Sequence, residues 1–222
     1  CLASVAAQTR VPDEVLLIDD MAGLGKEDLA PLWSVFAFNV SHDDERELVH
    51  GVKVGNAYVS GLRIWRSPWR VGVAAAFNFG VALARGSLVF LLGSDDTLDP
   101  LCLEKCLDQW KRSYGADAYY WTGVRYLDTG ELQALPCNAA MVTKEFWRRT
   151  GGFPVETGVG APDAALISIL MVHDPHSLIP VAGGEPIYNY RRHGETDTAG
   201  RGPWQGAILT ARSILTENWK RP

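Results

Sequence analysis

SLVFLLGSDDTLDP, residues 87–100, is the stretch whose reading decides the fold. Leu88 to Leu92 form an apolar run rich in strand formers and long enough to cross a buried parallel sheet. The run breaks at Gly93-Ser94 and delivers two adjacent carboxylates, Asp95 and Asp96, before Pro100 opens a helical pattern. Acids at the carboxyl end of a buried strand sit where open α/β sheets bind ligands. Hard oxygen donors at such a place suit Mg²⁺ or Mn²⁺ bridging a diphosphate. The plainer reading is a turn, with Asp95 or Asp99 capping the next helix.

The strand-then-acids pattern occurs twice. Glu14 to Ile18 reads as a short strand, EVLLI, and runs into Asp19-Asp20. Right-handed crossovers place both carboxyl ends on one edge of a parallel sheet, which points to a nucleotide or metal site. No G-x-G-x-x-G follows a strand and no G-x-x-x-x-G-K-[ST] occurs, so the dinucleotide and P-loop readings lack their phosphate cradles.

The 222 residues hold one large α/β domain or two small ones. A net charge of −5 argues against a nucleic-acid partner. No run approaches the ~18 apolar residues of a membrane span, and no signal peptide is visible. The chain opens on Cys1 rather than methionine, so the gene is expected to start upstream. Cys102 and Cys106 share a helix face, but Cys1 and Cys137 complete no metal set, so buried thiols in a reducing cytoplasm are expected.

Around the two motifs the chain alternates between strands and helices. Leu2 to Gln8 reads as the end of a helix. A helix is expected within Lys26 to Phe36, and VKVGNAYVSGLRIW as a hairpin turning at Gly55-Asn56. Ala74 to Ala84 is a small-residue helix with Gly86 as its stop. A helix over Pro100–Tyr114 and a strand over Ala118–Trp121 follow. Val124 to Leu135 reads as a hairpin turning at Asp128-Thr129-Gly130, and Ala139–Val142 as a strand. Next come a helix Lys144–Thr150 stopped by Gly151-Gly152, an apolar helix Asp163–Val172, strands Leu178–Val181 and Ile187–Tyr190, and an amphipathic helix Trp204–Asn218. No repeat or linker interrupts them, which favours one domain.

With these elements in order, the chain resembles the GT-A glycosyltransferases of family 2, inverting enzymes that use nucleotide-sugars. CLASVAAQTRVPDEVLLIDD is similar to the family's first helix, QT turn and second strand. RVGVAAAFNFGVALARGSLVFLLGSDDTLDP resembles the G-x-x-x-A-x-N-x-G-x-x-x-A-x-G segment followed by the metal motif. NAAMVTKEFWRRTGGF resembles the acceptor-side strand, helix and Gly-Gly-Phe, and YNYRRHGETDT the Y-x-Y-R-x-H element. The resemblance implies an α/β fold of the GT-A kind, a seven-stranded mixed sheet between helices, and a bound Mn²⁺ or Mg²⁺. It implies one GT-A domain over residues 1–222, with a nucleotide-binding half (1–100) and an acceptor-binding half (101–222).

Roles follow by position. Asp20 resembles the acid that contacts the nucleotide base; a turn or cap acid is the rival. Asp95 and Asp96 resemble the metal motif, with Asp95 reaching the ribose or the metal and Asp96 the metal. Asp163, in GAPDAALI, stands at the catalytic base, which must take a proton from the acceptor hydroxyl as it attacks the anomeric carbon; an N-cap is its rival. His193 resembles the histidine near the diphosphate and metal. Arg191 and Arg192 offer bidentate forks to phosphate oxygens. The implied partners are a UDP- or dTDP-sugar donor and a glycan or other hydroxyl acceptor, in a cytoplasmic protein at most peripheral to a membrane. Of the eight tryptophans, Trp65, Trp69, Trp121 and Trp204 fall near loops that offer stacking surfaces for sugars, though core packing is the commoner use.

The sequence departs from the family pattern in several places. The family's first strand, with its P-x-Y-N-like loop, would precede Cys1 and is not found; its absence exposes backbone on both neighbouring strands. DDMAG replaces D-D-G-S, Gly93 a common first aspartate, Phe77 an arginine, and Pro162 the glutamate before the base. Two further readings therefore stand beside a metal-dependent inverting glycosyltransferase: an inactive relative that binds a nucleotide or glycan, and another nucleotide-using α/β transferase.

Overall fold

The computed structural model describes residues 1–20, 48–54, 57–67, 69–155 and 162–192. The helix expected within Lys26–Phe36, the Gly55-Asn56 turn, the Trp204–Asn218 helix and His193 lie outside the described residues.

The chain runs α1 (Leu2–Ala6), β1 (Val15–Asp19), β2 (Leu48–Val54), β3 (Ala57–Arg66), α2 (Val73–Leu83), β4 (Leu88–Leu91), β5 (Thr97–Leu98) and α3 (Cys102–Arg112). It continues with β6 (Tyr119–Trp121), β7 (Gly123–Tyr126), β8 (Leu132–Gln133), β9 (Ala140–Thr143), α4 (Lys144–Thr150), α5 (Pro162–His173), β10 (Leu178–Pro180) and β11 (Pro186–Tyr190). This is a mixed α/β fold. In place of one seven-stranded sheet, the described strands form three short mixed sheets, ordered β1-β3-β2, β10-β6-β9-β4 and β5-β11-β7-β8.

Side-chain alternation on β6 and β9 sets the two faces of the middle sheet. Tyr119, Ala140 and Val142 point into a cluster with Phe146, Trp147, Phe153, Leu166 and Leu170 from α4, α5 and the loop between them. Tyr120 and Met141 point the other way, onto Cys102 and Cys106 of α3, Val181 and Tyr188. The sheet is thus sandwiched between helices, as period-2 strands with two apolar faces require. Both α3 cysteines are fully buried free thiols, as their shared helix face predicts.

Several local readings are realised residue for residue. Thr143 caps α4, its Oγ1 accepting the Phe146 N–H at 3.1 Å, and Gly151 closes the helix at φ +80°. Gly130, at φ +72°, turns the β7–β8 hairpin. β2 and β3 pair antiparallel with Val54 opposite Ala57. The QT turn is a clamp: the buried Gln8 donates through Nε2 to the Asp99 carbonyl at 2.8 Å and accepts the Leu103 N–H at 3.0 Å, tying α1 to the start of α3.

Other expectations need correcting. α2 ends by turning extended at Ala84 (φ −55°, ψ 141°), and Gly86 adopts no positive φ. Neither Asp95 nor Asp99 caps α3; its N-cap is Leu101, without a side-chain bond, and the Asp99 carboxylate takes Asn189 Nδ2 at 3.0 Å. β4 does not sit inside a parallel sheet. It pairs antiparallel with β9, at one edge of the middle sheet. β1 pairs parallel with β3, at the edge of a different sheet.

Among the described residues no strand lies between β1 and β4, so each has one ladder partner. A cavity of about 1660 Å³ opens there, lined by Val15 to Ile18 on one side and Leu88 to Leu92 on the other. Most of these apolar side chains are consequently only half-buried, although their sequence reads as core.

Candidate active site

The cavity between β1 and β4 continues past the carboxyl ends of both strands, where Asp20, Gly93, Asp95, Asp96 and Asp163 all line it. The two strand-acid motifs therefore meet at one cavity, although their strands belong to different sheets.

Asp20 is half-buried and turned onto the loop before α2. Its Oδ1 accepts the Val71 N–H at 2.6 Å and its Oδ2 the Gly72 N–H at 2.9 Å. The carboxylate shapes the cavity rim by holding this loop. Arg70, exposed and just ahead of it, also lines the cavity and was not singled out by sequence.

Asp96 is fully buried at the end of a one-turn loop after β4. Its Oδ2 accepts the Tyr188 hydroxyl at 2.6 Å and its Oδ1 the Arg191 N–H at 2.8 Å. The Tyr188 oxygen in turn accepts the Gly93 N–H at 3.0 Å. Burial raises the Asp96 carboxyl above its ordinary value; the two hydrogen bonds offset part of the rise and the Asp95 charge adds to it.

Whether Asp95 and Asp96 suit a metal is decided at Gly93. A Cβ built on Gly93 would stand 2.6 Å from Asp96 Oδ2 and 3.2 Å from Asp95 Oδ1. The two carboxylates crowd Gly93 so closely that any side chain there would clash with Asp96, so glycine has a reason to replace aspartate here. Mg²⁺ is typically held by one or two carboxylates together with substrate phosphates, and this pair matches that requirement. Among the described residues, no group of three or more His, Cys, Asp or Glu is placed to hold a metal ion.

Asp163 sits half-buried in the first turn of α5, after the buried Pro162. Its Oδ2 accepts the Asn138 N–H at 3.0 Å, which fixes it beside the lead-in to β9. Burial pushes its carboxyl up, against backbone hydrogen bonds that lower it. Cys137, next to Asn138, faces both Asp163 and Asp96; burial drives its thiol up to about 12, so it stays protonated.

Arg191 contributes its backbone N–H to Asp96, and it is the neighbouring Arg192 that lines the cavity. The Arg192 guanidinium lies 4.2 Å from the Tyr126 ring centroid and donates through Nε to Asp128 at 3.0 Å. Phe77, in place of an arginine, packs edge-on against Phe153 at 5.8 Å, filling the wall with aromatic carbon instead of a cation. The adjacent Asn78 holds the Phe153 backbone from both sides, donating to its carbonyl at 2.7 Å and accepting its N–H at 2.9 Å. Of the tryptophans, Trp65 stacks on Phe79 at 5.0 Å, Trp69 is exposed, Trp121 packs under Gly184, and Trp204 lies outside the described residues.

Sequence reasoning assigned no role to Tyr188 or Asn78, although both stand inside motifs it quoted. Their signal is the motif itself, since neither residue type carries a role by spacing alone.

Comparison with known proteins agrees with this architecture. The family model described as Glycosyl transferase family 2 matches residues 37–155. The crystal structure of S. aureus TarS 1–349 in complex with UDP-GlcNAc superposes with a TM-score of 0.69 at 12% identity, covering 100% of this chain and 63% of that one. A second S. aureus TarS crystal structure gives 0.61 at 13% identity, covering 99% of this chain and 41% of that one. The chain thus spans less than two thirds of the length of either, and the likeness is one of fold. No curated protein matches the sequence.

Proposed function

The chain belongs to glycosyl transferase family 2, whose model covers more than half of it, and on that premise we propose that it moves a sugar from a nucleotide diphosphate donor to an acceptor hydroxyl with inversion at the anomeric carbon. One observation carries the proposal: a carboxylate pair converging at Gly93 and a separate carboxylate, Asp163, line the same cavity. The first suits a cation and a diphosphate; the second suits proton transfer.

In the proposed reaction the acceptor oxygen attacks the anomeric carbon from the face opposite the nucleotide. Its proton passes to Asp163, whose raised affinity for protons makes it a better base than an ordinary aspartate. The carbon–oxygen bond to the diphosphate breaks and the nucleoside diphosphate leaves. Asp95 and Asp96 would hold Mn²⁺ or Mg²⁺, which when bound neutralises charge on the departing diphosphate. Asp20 and the loop it clamps would form the base-binding rim, Arg70, which lines the cavity, would face the phosphates, and Arg191 and His193 keep the diphosphate roles that the family resemblance implies. TarS was crystallised with UDP-GlcNAc; a uridine or thymidine diphosphate sugar is the donor proposed here, and a glycan or other hydroxyl compound the acceptor. Residues 1–100 supply the donor side and 101–222 the acceptor side. No helix among the described residues is long and apolar enough to cross a membrane, and the free thiols favour the cytoplasm as the place of action.

A second reading, nucleotide binding without turnover, is favoured by Asp20, both of whose oxygens already serve the Val71–Gly72 loop. One experiment separates the two. The protein is incubated with UDP- and dTDP-sugars, Mn²⁺ and simple saccharide acceptors, and nucleoside diphosphate release and the anomeric configuration of the product are followed by NMR. Release with an inverted product supports transfer. Mn²⁺-dependent nucleotide binding with no release from any donor favours the second reading, and no binding at all overturns both.

A further inference from the structure

We propose that Tyr188 is the positioning residue that aims Asp96 at its metal, an inference that rests on the metal site of the proposed function. Tyr188 stands in the middle of β11, in a different sheet from β4, and is fully buried. Its ring lies 6.4 Å from that of Phe90 at an interplanar angle of 24°, so its hydroxyl is delivered on a rigid arm.

That hydroxyl makes two bonds at one place. It donates to Asp96 Oδ2 at 2.6 Å and accepts the Gly93 N–H at 3.0 Å. The loop from Gly93 to Asp96 is therefore closed by a side chain from outside it, at both its first and its last residue. Oδ2 is also the oxygen nearest the missing Cβ of Gly93, the point toward which Asp95 Oδ1 projects. Three residues on from Tyr188, the Arg191 N–H holds the other oxygen, Oδ1, at 2.8 Å. A carboxylate held at both oxygens, by Tyr188 of β11 and by Arg191 just after it, cannot rotate freely about its last torsion, so the orientation of Asp96 is set by Tyr188.

Without the hydroxyl, Oδ2 loses its donor and the Gly93 N–H its acceptor together, and the loop is freed to swing the carboxylate off the pocket. Outer-shell partners of metal-binding carboxylates typically cost 10–100-fold in affinity when removed. The ring itself stays in Tyr188→Phe, so packing against Phe90 is preserved.

The test is Mn²⁺ binding to the whole chain, read by the electron-paramagnetic-resonance signal of free Mn²⁺, alone and with UDP. Wild type and Tyr188→Phe are compared, together with metal-free UDP affinity by calorimetry. The expected result is at least ~10-fold weaker Mn²⁺ binding in Tyr188→Phe with metal-free UDP affinity unchanged, a pattern that a loss of packing alone does not give. Equal Mn²⁺ affinities overturn the positioning role while leaving the metal reading intact. A wild type that binds no Mn²⁺ overturns the metal reading and this inference with it. Should Tyr188→Phe not fold, Tyr188→Met removes the same hydroxyl with a side chain that adapts to the space, and an Mn²⁺ affinity equal to that of the wild type again overturns the proposal.

Discussion

Asp163 and Asn138 are joined by a 3.0 Å hydrogen bond in which the Asn138 backbone N–H donates to Oδ2 of the carboxylate. The bond crosses from the lead-in of β9 to the first turn of α5. It orients a proton acceptor that burial has made more basic than usual. The same carboxylate stands in the first turn of α5, so the proposed role as base and any structural role are separated by substitution.

Asp163→Asn achieves that separation. The amide oxygen still accepts from Asn138, so the fold and the donor affinity are retained. It takes no proton, and transfer falls on the order of 10²-fold or more. Turnover assays beside calorimetric donor titrations check this; a variant keeping a tenth of the wild-type rate removes Asp163 from the role of base.

The pH profile of the wild type follows from the same residue. The acid limb of kcat/KM reports loss of the ionised Asp163, and its raised carboxyl places that limb above the ordinary value of 3.8. Activity falls as pH drops through it. A limb at or below the ordinary aspartate range would contradict the burial of this group.

Metal should act through Asp95 and Asp96. Mn²⁺ with UDP at about 100 times its dissociation constant stabilises the native chain by about 2.7 kcal/mol, which in a domain of this size raises Tm by roughly 5–10 °C. UDP with EDTA gives a much smaller shift, and Asp95→Asn and Asp96→Asn each abolish the difference. Equal shifts with and without metal would show that the carboxylates do not bind it.

Asn78→Ala cuts both bonds to the Phe153 backbone. The expected loss is about 1–3 kcal/mol, because the carbonyl and N–H of Phe153 lose their partner together. Phe153, Pro154 and Val155 line the cavity, so acceptor KM rises while metal-dependent UDP binding holds. Urea denaturation and steady-state kinetics read the two effects separately.

Glu14 and Arg63 form a largely buried pair, Nη1 to Oε1 at 2.8 Å. Burial alone would raise the Glu14 carboxyl, but the Arg63 hydrogen bond, the Arg85 N–H and the two positive charges outweigh it, and the net shift is downward. A carboxyl lowered on folding contributes its stability fully above the unfolded value near 4.5 and loses it as pH falls through the lower folded value. Glu14→Gln should therefore cost about 1–3 kcal/mol at neutral pH and progressively less below pH 4. A variant whose deficit is flat with pH would assign the stability to packing.

Much of the architecture is legible in the sequence because its signals are local. Alternation at Tyr119 to Trp121 and Ala140 to Thr143, the Gly151-Gly152 stop and the hairpin at Gly130 depend on a few neighbouring residues. Pairing is not local. The apolar run of β4 reads as a parallel-sheet strand, yet its partner is β9, some fifty residues on and antiparallel. Buried strands were expected at both motifs and half-buried ones occur, since burial depends on what lies across the edge. At the site, Asp95 and Asp96 are legible as acids after a strand, whereas the hold of Tyr188 on Asp96 joins residues ninety-two positions apart.

The groove between β1 and β4 gives the molecule an uneven resistance to local opening. β6 and β9 are flanked on both sides and clamped between two cores, while among the described residues β1 and β4, which lead into the acids, are each laddered on one side only. Amide hydrogen exchange should map this directly, with slow exchange over Tyr119–Trp121 and Ala140–Thr143 and fast exchange at the groove-facing amides of Val15–Ile18 and Leu88–Leu91. The carboxylates that would grip a donor thus follow strands that are sheet edges among the described residues, and a ligand that bridges the groove would slow exchange there well before it changes anything at the centre.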